Sequence, residues 1–135
     1  MTIKKITFLT SVLLLMLSQS SKANDINILA AAIIHQSHGE YLVNVKLEHH
    51  DTGWQHYADE WRLVDNKGNI LGSRVLQHPH VHEQPFTRSL SNVKISSELQ
   101  AVYIEAHDKV HGWTKNHLMI DLTKMQNGRI TSRAK

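Results

Sequence analysis

Residues 41–48, YLVNVKLE, alternate apolar and polar side chains: Tyr41, Val43, Val45 and Leu47 fall on one side, Asn44, Lys46 and Glu48 on the other. On a helix of 3.6 residues per turn those four apolar groups would scatter around the circumference, whereas a strand sets them all on one face. Runs of this kind recur, separated by turn signals. Residues 27–35, 41–49, 57–64, 70–76, 86–90, 101–107 and 114–122 read as strands, and no long segment carries a 3.6 period. His38-Gly39, Gly53, Asp65-Asn66-Lys67-Gly68-Asn69, residues 96–99 and Gly112 punctuate them. Short strands at this spacing predict an all-β fold, a seven-stranded antiparallel sandwich of immunoglobulin or fibronectin type, with a barrel of the same strand count as the alternative. Trp61, on the third strand, sits where such sandwiches bury a tryptophan. The segment from about residue 124 is polar and is expected to fray.

Antiparallel order has a consequence for the loops. Successive strands run in opposite directions, so the connections after the second, fourth and sixth strands emerge at one end of the sandwich. The first of these carries His49, His50 and His56. The second is His78-Pro79-His80-Val81-His82-Glu83-Gln84-Pro85, and the third holds His107, Asp108 and His111. Eight of the 11 histidines therefore belong to three loops at one end. Only His35 and His38 fall at the opposite end, and His117 lies along the last strand.

Imidazole is the commonest neutral metal ligand. On an extended segment, histidines two apart point to one side with Cα atoms ~6.6 Å apart, so His78 with His80, or His80 with His82, can share one ion. The outer two are ~13 Å apart if the segment is straight, and Pro79 makes a bent loop the better reading. The candidate metal ligands are thus His78, His80, His82, His56, His107 and His111, with Glu83 and Asp108, and also Asp51, available as carboxylate ligands or as acceptors that hold an imidazole tautomer. Trp54 and Trp113 flank the same end and are expected to close the bottom of the core. The ligand chemistry favours copper or zinc in the divalent state; the step His117-Leu118-Met119 and the two methionines beyond residue 23 are too thin a set for soft copper(I) ligation.

The first 23 residues have the parts of a secretory signal. Lys4 and Lys5 precede an apolar run over 6–17, which is short for a membrane span, and Ser21-Lys22-Ala23 places small residues for cleavage before Asn24. The expected mature chain is a single domain, residues 24–135, in the periplasm or outside a bacterial cell, with no membrane span after cleavage. No lipid anchor is expected, because no cysteine follows the apolar run. Lys4, Lys5 and Lys22 leave with the signal, so 12 of the 15 basic side chains remain against 12 acidic ones, and nothing argues for a nucleic-acid partner. With no cysteine at all, thiolate metal sites, cysteine nucleophiles and disulfides are excluded. Neither GxSxG, HExxH nor a phosphate loop is present.

The stretches GWQHYADEWRLVD, HPHVHEQPFTRSL and IEAHDKVHGW resemble a group of small uncharacterised secreted bacterial proteins that share the pattern GWxHYADxW, HPHxxEQPFTRSL and HDxVHGW. The resemblance spans about residues 53–113 and implies that His56, His78, His80, Glu83, Arg88, His107 and His111 belong to the shared pattern. The leading expectation is a periplasmic, histidine-rich, copper- or zinc-binding protein with a carrier or accessory role, whose partners are the metal ion and another periplasmic protein. A metal-free protein-interaction or assembly module is the alternative, and a small metalloenzyme the weaker third.

Overall fold

The computed structural model describes residues 26–135; the secretory signal read over residues 1–23 lies outside them. The described residues are all-β, with two antiparallel sheets packed face to face. Its strands are β1 (Asn27–Ser37), β2 (Glu40–Glu48), β3 (Ala58–Val64), β4 (Ile70–Val75), β5 (Phe86–Lys94), β6 (Ala101–Asp108), β7 (Gly112–Trp113), β8 (Leu118–Asp121) and β9 (Arg129–Arg133), with a 3-10 turn at Leu122–Lys124. One sheet has the order β5-β2-β1-β9; the other runs β4-β3-β6-β7, with β8 also pairing with β6. Two sheets replace the barrel alternative. Among the described residues, no helix is long and apolar enough to cross a membrane.

The period-two faces do what they predict. Val43, Val45 and Leu47 of β2 are fully buried, as are Val102, Ile104 and Ala106 of β6 and Trp61 and Leu63 of β3. These groups meet between the sheets, joined by Ile33 of β1 and Ile120 of β8. Each such aliphatic side chain contributes about 1.5–3 kcal/mol by leaving water, which is how a chain without cysteine holds together.

The described residues form nine strands where the sequence predicts seven. The two additions take the place of a predicted loop and a predicted frayed tail. β7 is a two-residue extension beside the end of β6, pairing His107 with Trp113 and Asp108 with Gly112. β9 comes from the polar tail and pairs antiparallel with β1 from Ala30–Arg133 to Ile34–Arg129. Asn127 and Gly128 both take positive φ, 51° and 71°, and Gln126 and Arg129 bridge across them. That is the geometry of the two-residue turn that Asn-Gly favours, and it returns the chain so that Ile130 lands in the core. The two end tryptophans do not close the core. Trp54 is 63% exposed, and Trp113 lies under the Arg62 guanidinium, 3.7 Å from its ring centre.

At one end the two inward faces extend past the last apolar residue. His49 follows Val45 and Leu47 at the same period, and Asp108 follows Ile104 and Ala106. Both are buried. One comes from the first sheet and the other from the second, so they meet across the floor of the sandwich.

Candidate metal centre

The loops after β2, β4 and β6 converge on this floor. His49 and Asp51 come from the first, together with His56; His80 comes from the second, and Asp108 and His111 from the third. His49 Nε2 lies 3.4 Å from Asp108 Oδ2, and His56 Nε2 lies 3.7 Å from Asp108 Oδ1. One ligand atom from each of His49, His56 and Asp108 falls within 4.8 Å of the others. Ligands ~2.0–2.2 Å from a tetrahedral ion stand roughly 3.4 Å from one another. Two of these contacts are therefore close to that spacing, and small side-chain rotations would set the rest. His56 Nε2 is buried and has no hydrogen-bond partner among the described residues. The turn that presents it is closed by Thr52 N–H donating to the His56 carbonyl and His56 N–H donating to that of Gly53.

Asp51 holds the site from behind. Its Oδ1 is 2.6 Å from His49 Nδ1 and accepts the Ala58 amide at 2.9 Å. Its Oδ2 accepts the His80 amide at 2.8 Å. Burial alone would raise the Asp51 pKa, but the His49 ring and the His80 and Ala58 amides outweigh it, and the carboxyl titrates below its ordinary range. With a proton of His49 on Nδ1, facing Asp51, Nε2 carries the lone pair toward Asp108. A carboxylate behind an imidazole, with the other nitrogen turned to the ligand position, is the usual support of a metal-binding histidine.

Asp108 is kept ionised in the same way. Burial would raise its pKa, while the His111 amide, the His111 ring and the Val110 amide lower it below the ordinary value. Oδ1 accepts from Val110 N at 2.8 Å and from His111 N at 2.6 Å; Oδ2 lies 3.0 Å from His111 Nδ1. Among the described residues, the ion-pair partners of Asp51 and Asp108 are all histidines. Two buried carboxylates thus flank His49, and among the described residues neither forms an ion pair with a lysine or arginine. Buried charge without a counter-charge is costly, so the floor favours a cation, either a bound ion or a proton on imidazole.

Of the residues singled out in the sequence, the fold brings His56, Asp108, His111 and His80 to this end. His80 is buried and stacks on Phe86, with ring centres 3.8 Å apart and planes 7° from parallel. Its Nε2 is 3.0 Å from Arg88 Nη2, which donates to it, and its Nδ1 is 3.8 Å from Asp51 Oδ2. Burial first, then the positive charge of Arg88 and the nearby His78, lower its pKa against the opposing pull of Asp51 and Glu83. In this arrangement His80 supports Asp51. Gln84 does similar work: its Oε1 accepts the His49 amide at 3.1 Å and its Nε2 donates to the His80 carbonyl at 3.0 Å. The wording of HPHVHEQPFTR thus corresponds to a clamp on the loop after β2.

His78 and His82 are exposed on the rim; His78 Nδ1 is 3.0 Å from the Pro79 carbonyl, to which it can donate. Glu83 pairs with Arg88 at 3.3 Å. His107 stands on the outer face of its sheet, one residue out of phase with Asp108. Its Nδ1 lies 2.6 Å from Asp59 Oδ1 and its ring meets Trp113 edge-on at 5.0 Å. The residue that sequence reasoning did not nominate is His49. The signal was present, since position 49 continues the series 43, 45, 47.

No family model matches this chain, and no solved structure matches it. One curated protein of Halomicrobium mukohataei, named "Putative lipoprotein", is 35% identical over 78 residues, which are 58% of this chain and 38% of that protein. The matched region thus spans under two fifths of that relative's length.

Proposed function

We propose that this chain is an exported protein that binds a divalent transition-metal ion, copper or zinc, through His49, His56 and Asp108. The observation that carries the reading is the meeting of two imidazole nitrogens and one carboxylate oxygen within 4.8 Å on a buried floor, with Asp51 Oδ1 2.6 Å behind His49 Nδ1. Imidazole and carboxylate together suit zinc and copper(II). Three protein ligands leave room for a fourth, so the site can bind and release an ion as a carrier or accessory protein must. Export is supported by the signal-like segment over residues 1–23 and by the printed name of the relative. The periplasm, and another protein there as a partner, belong to the same reading, as does the resemblance to small secreted bacterial proteins. The sheet pairings support an immunoglobulin- or fibronectin-like description: the first, second and fifth strands share one sheet, and the third and sixth share the other.

The test is calorimetric titration of the untagged chain from residue 24 with Zn(II) and with Cu(II), repeated on His49→Ala and His82→Ala. One stoichiometric event that vanishes in His49→Ala and survives in His82→Ala is expected. Several weak events insensitive to His49→Ala would sink the proposal and leave the floor as a protonated histidine–aspartate network.

A further inference from the structure

Three imidazoles surround Asp108, and they differ in access. The His49 side chain is 0% exposed, that of His56 20% and that of His111 35%. His111 is the outermost, and its Nδ1 sits on Oδ2 of Asp108, the same oxygen that His49 approaches. Its ring also meets the ring of His56 edge-on, with centres 5.1 Å apart. A cation entering from solvent therefore meets His111 at the mouth of the site.

The segment that carries His111 is short; it is held at its base and by the Lys109 amide, which donates to the Tyr57 carbonyl at 3.2 Å. Asp108 Oδ1 holds the amides of Val110 and His111. Val110 is 59% exposed, and Gly112 follows with φ of 79°, a conformation that glycine adopts freely. A cavity of about 310 Å³ borders Asp108 and His111, lined also by Trp113, Thr114 and Lys115. The cavity leaves space beside the His111 ring.

We infer that His111 is an exchanging ligand. It caps Asp108 when the site is empty and closes the fourth position when an ion is bound. The inference rests on the metal reading above and adds to it the regulation of entry and release. A site with three fixed ligands stays open to water, whereas a fourth imidazole makes it closed. One residue that alternates between the two roles makes retention adjustable without altering the buried ligands.

Co(II) is the probe, because its visible spectrum distinguishes four-coordinate closed sites from water-bearing ones. The wild-type chain, His111→Ala and His111→Asn are titrated with Co(II), and metal release to a competing chelator is timed. The asparagine variant keeps an N–H donor for Asp108 but is a poor ligand, so it separates capping from coordination. Expected are an intense tetrahedral spectrum in the wild type and a weaker, water-bearing spectrum in both variants. Added imidazole should restore the spectrum of His111→Ala, and affinity in the variants should fall roughly 10- to 100-fold, the scale of losing a supporting contact at a metal site. If His111→Ala matches the wild type in spectrum and release, the metal reading stands and the exchanging ligand does not. A wild-type spectrum in His111→Asn alone reduces His111 to a cap and overturns the inference. If the wild type itself takes up no Co(II), the metal reading fails and this inference goes with it.

Discussion

Two groups of histidines sit within neighbouring loops at the same end of this sandwich, and they have opposite fates. His49 and His56 approach the buried Asp108 on the floor between the sheets. His78 and His82 stand on the rim, exposed. The rim group is the more conspicuous in the sequence because its spacing is regular. The floor group is the better site because its backbone is already committed. His49 and Asp108 leave strands whose inward faces are fixed by Leu47 and Ala106, so their directions are inherited from the core. What distinguishes a candidate ligand is thus the register of the strand that delivers it, more than the local density of imidazole.

That contrast can be broken most forcefully at His49. His49→Ala leaves Asp51 and Asp108 buried without the imidazole between them, and removal of one partner from such a group costs about 3–5 kcal/mol. Denaturant unfolding should show that loss, and titration should show no stoichiometric metal. Asp51→Asn is the next largest. It keeps the shape but removes the charge that orients His49, and metal affinity should fall roughly 10- to 100-fold while the chain stays folded by circular dichroism.

Acid separates the clamp from the floor. Burial keeps the His80 pKa in the folded chain below the ordinary 6.5. The unfolded chain therefore takes up this proton first, and stability from His80 is present above pH 6.5 and lost as pH falls below it toward the folded value. Asp51 and Asp108, both lowered from 3.8, add a second loss only as pH falls below that value. Unfolding of the metal-free chain across this range should therefore show two declines. His80→Phe should remove the upper one and keep the lower; an unchanged upper decline would assign it to another histidine. A smaller effect is expected at Arg88, which donates to His80 Nε2 at 3.0 Å. Arg88→Ala should cost about 0.5–1.5 kcal/mol, the net worth of one such hydrogen bond. At the bottom of the scale, His82→Ala should change neither stability nor affinity measurably. A clear loss of affinity there would move the site to the rim and reverse the comparison.

Much of the architecture is legible in the residues. The period-two faces of β2, β3 and β6 place Val45, Trp61 and Ile104 in the core, and strand parity brings the three histidine loops to one end. Other features require the fold. β9 is polar along most of its length, and its one strong cue, Asn127-Gly128, lies at the turn instead of in the strand. His107 and Asp108 are adjacent in sequence, so both join the loop in a linear reading, yet the alternation that faces Asp108 inward turns His107 out against Asp59. His80 reads as a ligand because nothing local reveals Arg88, eight residues on, donating to its ring. Long-range partners of this kind decide whether an imidazole is available, and no spacing rule encodes them.

The meeting of His49 and Asp108 across the sandwich has a bearing on how long the molecule lasts. Separation of the sheets at this end must pull those two residues apart. An ion shared between them, as proposed, would act as a removable rivet in a chain that has no sulfur bridge to serve. At a free ion concentration a hundred times the dissociation constant, it would add about 2.7 kcal/mol against unfolding. Survival in the presence of proteases would then track the supply of metal, so that loaded molecules persist and empty ones are cleared.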